Sequence, residues 1–301
     1  MTDTNTIRSA LPGVPRAKLA AAKGVYGRLD ASAKVSLWVI VAIVVAALLA
    51  PVISPYGPAA QHYDASLQGP SVEHPMGTDL TGRDVLSRLI FGARASLLVG
   101  TVAVAMAIAI GVPLGSVAGY AGGVVDELIM RTMDMVISVP ALVLGLALIG
   151  ALGAGIEKVI LVVGIVYSPQ YARVIRGEVL TVKEEEYVEA AENTGLSHLS
   201  ILGKHIVPNA LTPVLVQGTY HIATAIILEA SLSFLGLGVQ PPKPTWGVMI
   251  SNGRDYLPEA WWISTFAGLA IMVTVLSFNL LGDGLRDEFD PRSVTEGGGE
   301  A

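Results

Sequence analysis

Several uninterrupted apolar runs in this 301-residue chain reach the roughly 18 to 20 residues that a helix needs to cross the hydrocarbon layer of a bilayer. No water reaches backbone groups there, so each run must pair its own N–H and C=O groups, as a helix does. The 52% hydrophobic composition agrees with a membrane-embedded chain. The expected fold class is all-α: a polytopic membrane protein with six transmembrane helices, at about 35–53, 95–120, 135–152, 159–174, 211–236 and 261–281. With no cysteine, disulfides and thiolate metal sites are excluded, and the five histidines show no HxxxH or HExxH spacing. The net charge of −6 lies mostly in loops and the tail, so no broad basic face invites nucleic acid.

Charge orients the spans. Residues 1–34 carry Arg8, Arg16, Lys18, Lys23, Arg28 and Lys34 against two acids, which places this segment in the cytoplasm. No A-x-A-like cleavage site follows the first apolar run, which reads as an anchor rather than a signal peptide. With both termini inside, thirteen Lys and Arg residues are cytoplasmic and six external. Asp79 and Asp84 lie at a spacing that pairs them with the external Arg83 and Arg88. The layout is a cytoplasmic segment 1–34, a six-helix membrane domain 35–282 and a cytoplasmic tail 283–301. Within the domain, loops 54–94 and 237–260 are external and segment 175–210 is cytoplasmic. Gly122 to Asp134 reads as a short polar connection, and Trp261 and Trp262 suit an interfacial belt.

The polar segment between the fourth and fifth spans is the most informative. Glu184 to Asn193 is rich in helix formers, Gly195 permits the turn that ends a helix, and Leu199, Leu202 and Ile206 recur at i, i+3 and i+7. Pro208 is expected to stop this second helix. Such a pair, flat on the membrane face, either inserts into a groove on a soluble partner or is an ordinary solvated loop. Within the membrane, Gly111, Gly115, Gly119 and Gly123 form a smooth strip for close helix packing. Pro113 interrupts that strip and leaves a carbonyl to be satisfied locally. In the fifth span Gln217, His221, Thr224 and Ser231 form a polar stripe that lines a translocation pathway or hydrogen-bonds other helices. Glu229 lies off it, a costly intramembrane carboxyl suited to a structural role or a substrate contact.

Glu189-Ala190-Ala191, then Gly195 and Pro208, resemble the spacing of the EAA loop by which permeases of binding-protein-dependent ABC importers seat themselves on their ATPase. His74-Pro75-Met76-Gly77-Thr78-Asp79 with Gly82-Arg83-Asp84 resembles the external signature of C-type permeases of the peptide and nickel importers. The stretch from Glu229 to Gly238, Gln240-Pro241-Pro242, Trp246-Gly247, Asp283 to Asp287 and Asp290-Pro291-Arg292 are similar to the same group. His205 departs from its I-x-L-P ending. The resemblance implies ATPase coupling through Glu189, Ala190, Ala191, Gly195, Leu199, Leu202, Ile206 and Pro208. It also implies a second homologous permease, two ATPase subunits or a fused one, an extracytoplasmic substrate-binding protein, and lipid around the spans. Di- or oligopeptides are the expected substrate, with nickel, heme or glutathione as alternatives within the group. No G-x-x-x-x-G-K-[ST] occurs, so ATP and Mg belong to the ATPase partners and this chain is expected to hold no cofactor and catalyse nothing. A proton-coupled secondary transporter relaying through Glu229 and His221 is the competing reading, but no repeat-related pair of broken spans supports it.

Overall fold

The structure, a computed structural model, describes residues 26–289. Arg8, Arg16, Lys18 and Lys23, the Asp290-Pro291-Arg292 motif and the terminal glycines lie outside the described residues. The elements are α1 (Ala31–Leu48), α2 (Val85–Ala121), α3 (Gly123–Ile137), α4 (Ala141–Leu152), α5 (Ile156–Lys183), α6 (Glu186–Asn193), α7 (His198–Ile201), a π turn (Leu202–Ile206), α8 (Val207–Phe234), α9 (Trp246–Gly253) and α10 (Trp262–Phe289). Among the described residues, α1, α2, α5, the run from α7 through α8, and α10 are long and apolar enough to span a membrane. The bent pair α3 and α4 makes a sixth span if counted as one.

The packing of α2 on α5 sets the frame. A Cβ on Gly111 would stand 2.3 Å from the Ser168 carbonyl oxygen, one on Gly115 2.1 Å from that of Ala172, and one on Gly119 2.9 Å from that of Arg176. Three glycines four residues apart therefore meet three carbonyls four residues apart, with the two backbones in direct contact. Gly123 does not share in this. At φ +53° and with open space around it, it begins α3 after the positive-φ break at Gly122, so the expected four-member strip has three members.

Two apolar clusters flank this frame. One runs from Val99, Ile149 and Val162 through Tyr171, Ile175 and Val179 to Val188, Ile201 and Ile206, and so joins the core of the spanning helices to the segment of α6, α7 and the π turn. The other gathers Ile40, Val85, Leu97, Ile226, Trp246, Met249, Trp262 and Phe278 from α1, α2, α8, α9 and α10. The entry to α1 is capped by Asp30, which accepts from Ala33 N at 3.0 Å and from the Ser32 hydroxyl at 2.5 Å. That hydroxyl first, then the backbone N–H, hold the Asp30 carboxyl below its usual range.

Several expected boundaries move. The second span begins at Val85, because Asp84 caps it, so loop 54–94 is helical in its last ten residues. At 37 residues α2 is ~55 Å long, well beyond a ~30 Å hydrocarbon layer. The expected connection 122–134 is the amphipathic helix α3. It meets α4 at 90°, because Pro140 keeps Val139 out of the helical region. The last helix continues to Phe289, past the expected end at 281. Pro208 stops nothing: the π turn just before it bonds Val207 N to the Leu202 carbonyl, and this wider turn makes room for the ring.

Gly115→Val is expected to overpack the α2–α5 contact and to destabilise the protein by about 3 kcal/mol or more. Gly177→Ala, where nothing lies within 4 Å, is expected to be neutral or stabilising by up to ~1 kcal/mol. Thermal unfolding in detergent checks both; equal stability of the two variants contradicts the contact.

Candidate functional site

The segment between α5 and α8 folds as a helix, a turn and a second helix that does not stop. Gly195 takes φ +77°, the left-handed conformation that favours glycine at a helix end. Val188 and Ala191 face the core, whereas Glu189 and Ala190 are exposed. The second helix corrects the expected apolar face: Ile206 is fully buried and Leu202 half-buried, but Leu199 is 83% exposed and Ile201 is buried in its place. The π turn explains the change, because its longer repeat puts residues five apart, Ile201 and Ile206, on one side. Asn209 Nδ2 donates to the His205 carbonyl at 2.6 Å and to the Tyr187 hydroxyl at 3.2 Å, lacing α6 to the start of α8. The outer surface of the pair thus presents Glu189 and Ala190 together with exposed Tyr187, Leu196 and Leu199.

At the opposite end of α2 the 74–88 motif forms a closed cap. The His74 ring and Asp84 are buried, with Nδ1 and Oδ1 3.0 Å apart. Asp84 Oδ2 accepts from both N and Oγ of Ser87 at 2.7 Å. Asp79 takes both arginines, Arg83 at 2.6 Å and Arg88 at 3.6 Å. Asp84 pairs with neither, contrary to the pairing expected from spacing, because its oxygens cap the helix and hold His74. Gly77 (φ +75°) and Gly82 (φ +71°) make the turns, and the ring of Trp262 donates to the Thr78 carbonyl at 3.0 Å. Trp262 is therefore buried in the cap, while Trp261 is the exposed member of the pair.

The structure divides the polar stripe of α8. Thr224 is exposed, and Ser231 and Gln217 are partly exposed. His221 is buried between Tyr167, stacked at 5.2 Å, and Tyr171, edge-on at 4.8 Å, so it lines no open surface of this chain. The Thr224 and Ser231 hydroxyls donate to carbonyls of their own helix. Glu229 is fully buried. It accepts from Ser233 Oγ at 2.7 Å and from Ser96 Oγ at 3.4 Å. Ser96 Oγ in turn receives Trp246 N at 3.3 Å, and Ser233 Oγ receives Val239 N at 3.3 Å. The carboxyl thereby ties α2, α8 and α9 together. It lies roughly 12 Å along the helix from His221 and shares no partner with it, so the two form no relay in this conformation.

Sequence reasoning passed over Ser96 as a partner of Glu229 and Trp246 as the donor to Ser96. Only Ser233, one turn away, was visible from spacing. Also unforeseen were the pairs of α5 with α3: Arg176 grips Asp126 through two bonds of 2.5 Å, and Arg173 meets Asp134 at 2.6 Å. Glu229→Leu, which leaves the surrounding hydroxyls without their acceptor, is expected to lose about 2 kcal/mol or more of stability, and Glu229→Gln less than half as much. Unfolding in detergent checks this, and a Leu variant as stable as the parent contradicts it.

Residues 111–294, more than half of the chain, match the family described as binding-protein-dependent transport system inner membrane component. Residues 30–70 match the N-terminal TM domain of oligopeptide transport permease C. The dipeptide transport system permease protein DppC of Alkalihalophilus pseudofirmus is 41% identical over 258 residues, covering 86% of this chain and 85% of that one. The di/tripeptide transport system permease protein DppC of Pseudomonas aeruginosa is 42% identical, covering 83% and 84%. The glutathione transport system permease protein GsiD of Escherichia coli is 44% identical, covering 85% of each. Among solved structures, the inward-facing MetNI methionine ABC transporter has the same fold, with a TM-score of 0.56, 17% identity, and coverage of 67% of this chain and 97% of that one. The chain belongs to the inner membrane components of binding-protein-dependent transport systems and is a multi-pass permease subunit of the C type.

Proposed function

We propose that this permease forms half of the translocation pathway of an ATP-driven peptide importer and docks on its ATPase through α6 and α7. The observation that carries this reading is the outward surface of Glu189, Ala190 and Leu199 on a segment whose inner face is continuous with the membrane core. An exposed apolar residue flanked by a carboxylate, on an element too well packed to be a loose loop, is suited to insertion in a partner's groove. Movement of that partner is then delivered to α5 and α8 as rigid elements.

The full assembly contains a second homologous permease, two ATPase subunits or a fused one holding ATP and Mg, and an extracytoplasmic substrate-binding protein. This chain has no nucleotide site of its own. Both termini are cytoplasmic, and the cap at 74–88 meets the binding protein or the outer gate. Thr224 and Ser231, with part of Gln217, face the pathway, and Glu229 serves structure. Di- or oligopeptides are the substrate, in line with the dipeptide and di/tripeptide relatives. Glutathione, itself a tripeptide, fits the same chemistry.

The reconstituted complex is expected to accumulate labelled di- or oligopeptides only when ATP is supplied. Glu189→Lys and Gly195→Val should insert normally but abolish uptake and weaken ATPase copurification, the latter because a β-branched residue resists positive φ. Normal uptake by both variants contradicts the assignment of this segment to coupling.

A further inference from the structure

The last turn of α2 is held by the cytoplasmic segment through contacts that chain connectivity does not require. The Tyr120 hydroxyl and His198 Nδ1 share a hydrogen bond of 2.7 Å, and their rings lie 5.8 Å apart. Lys183, the last residue of α5, donates to the Tyr120 carbonyl at 3.1 Å and places its ammonium 5.2 Å from the centre of the ring. That carbonyl is one of the last four of a helix, which have no partner within it. Just beyond, Gly122 and Gly123 both take positive φ and turn the chain away, so Tyr120 stands in the last turn of α2.

The geometry matters because of where α2 goes. The docking segment already holds α5 through Glu184 and Glu185, and α8 through the π turn. The hold on α5 reaches α2 only at second hand, through the glycine contact, whereas the Tyr120–His198 bond joins the docked pair to α2 directly; the opposite end of α2 is the Asp84 cap of the external motif. We propose that Tyr120 is a positioning residue that transmits displacement of the docked segment to α2 through His198, and hence to the external cap. This rests on the docking role of α6 and α7 and adds the element through which the docked pair reaches the outer side. A ring clamped between Lys183 and His198 cannot stay behind when α7 moves without losing the His198 contact. Because α2 and α5 touch backbone to backbone, the two helices then move as one.

The test uses the full complex in proteoliposomes, with ATP hydrolysis and peptide accumulation measured together. Tyr120→Phe keeps the ring under Lys183 and removes only the hydroxyl. It is expected to copurify with the ATPase and hydrolyse ATP normally, while peptide moved per ATP falls about fivefold, the scale of one lost hydrogen bond. His198→Ala should do the same, the double variant should fall no further, and His198→Asn, whose amide occupies the place of Nδ1, should restore coupling. An unchanged ratio in Tyr120→Phe, a multiplicative loss in the double variant, or loss of the ATPase from the complex overturns the proposal. Failure of the docking role has a different signature, since Glu189→Lys would then keep both the ATPase and transport.

Discussion

The contact on which the rest of this structure depends is that of two backbones, α2 and α5, brought together where Gly111, Gly115 and Gly119 face the carbonyls of Ser168, Ala172 and Arg176. In lipid, helices gain little from hiding apolar surface, and close van der Waals packing takes over that role. Once α5 is fixed, its side chains are fixed too. Tyr167 and Tyr171 enclose His221, Arg176 and Arg173 hold α3 through its two aspartates, and Lys183 reaches the end of α2. One strip of missing side chains thus positions α3, the polar interior of the bundle and the contacts at the end of α2.

Polar groups at depth follow one rule with different solutions. Glu229 uses hydroxyls of Ser96 and Ser233 rather than a cation, and Ser96, by accepting from Trp246 N, anchors α9 to the bundle. His221 sits between aromatic rings. Thr224 and Ser231 return their hydrogen bonds to their own helix, which lets them face outward without a partner. Of the polar stripe of α8, Thr224 and, in part, Ser231 and Gln217 therefore remain open at its surface, while His221, and Glu229 off the stripe, are buried.

Much of this was legible in the sequence. Apolar runs gave the spanning helices, the spacing around Gly195 gave a turn that the positive φ bears out, and period four in glycine located the tightest helix contact. What was missed was missed for physical reasons. Pro208 reads as a helix stop because single-sequence rules allow for a lost hydrogen bond, not for a π turn that absorbs it. The same turn moved the buried face from Leu199 to Ile201. Asp84 was paired with an arginine by spacing, when its position before Val85 made it a helix cap. Apart from Ser233, the partner of Glu229 lies 133 residues away on α2, and the Trp246 N–H that donates to that partner lies beyond the end of α8, where no local pattern reaches.

The exposed patch of α6 and α7 joins these threads, because a family whose members act with soluble partners needs a surface that is rigid inside and bare outside. Leu199 is its most exposed large side chain, while Ile201, two residues on, is fully buried. Since the chain contains no cysteine, Leu199→Cys gives the permease a single thiol. Its reaction with a water-soluble maleimide can be followed with and without the ATPase subunits. The account predicts rapid labelling of the free permease and strong protection in the complex. Equal labelling in both states would place the ATPase elsewhere and contradict it.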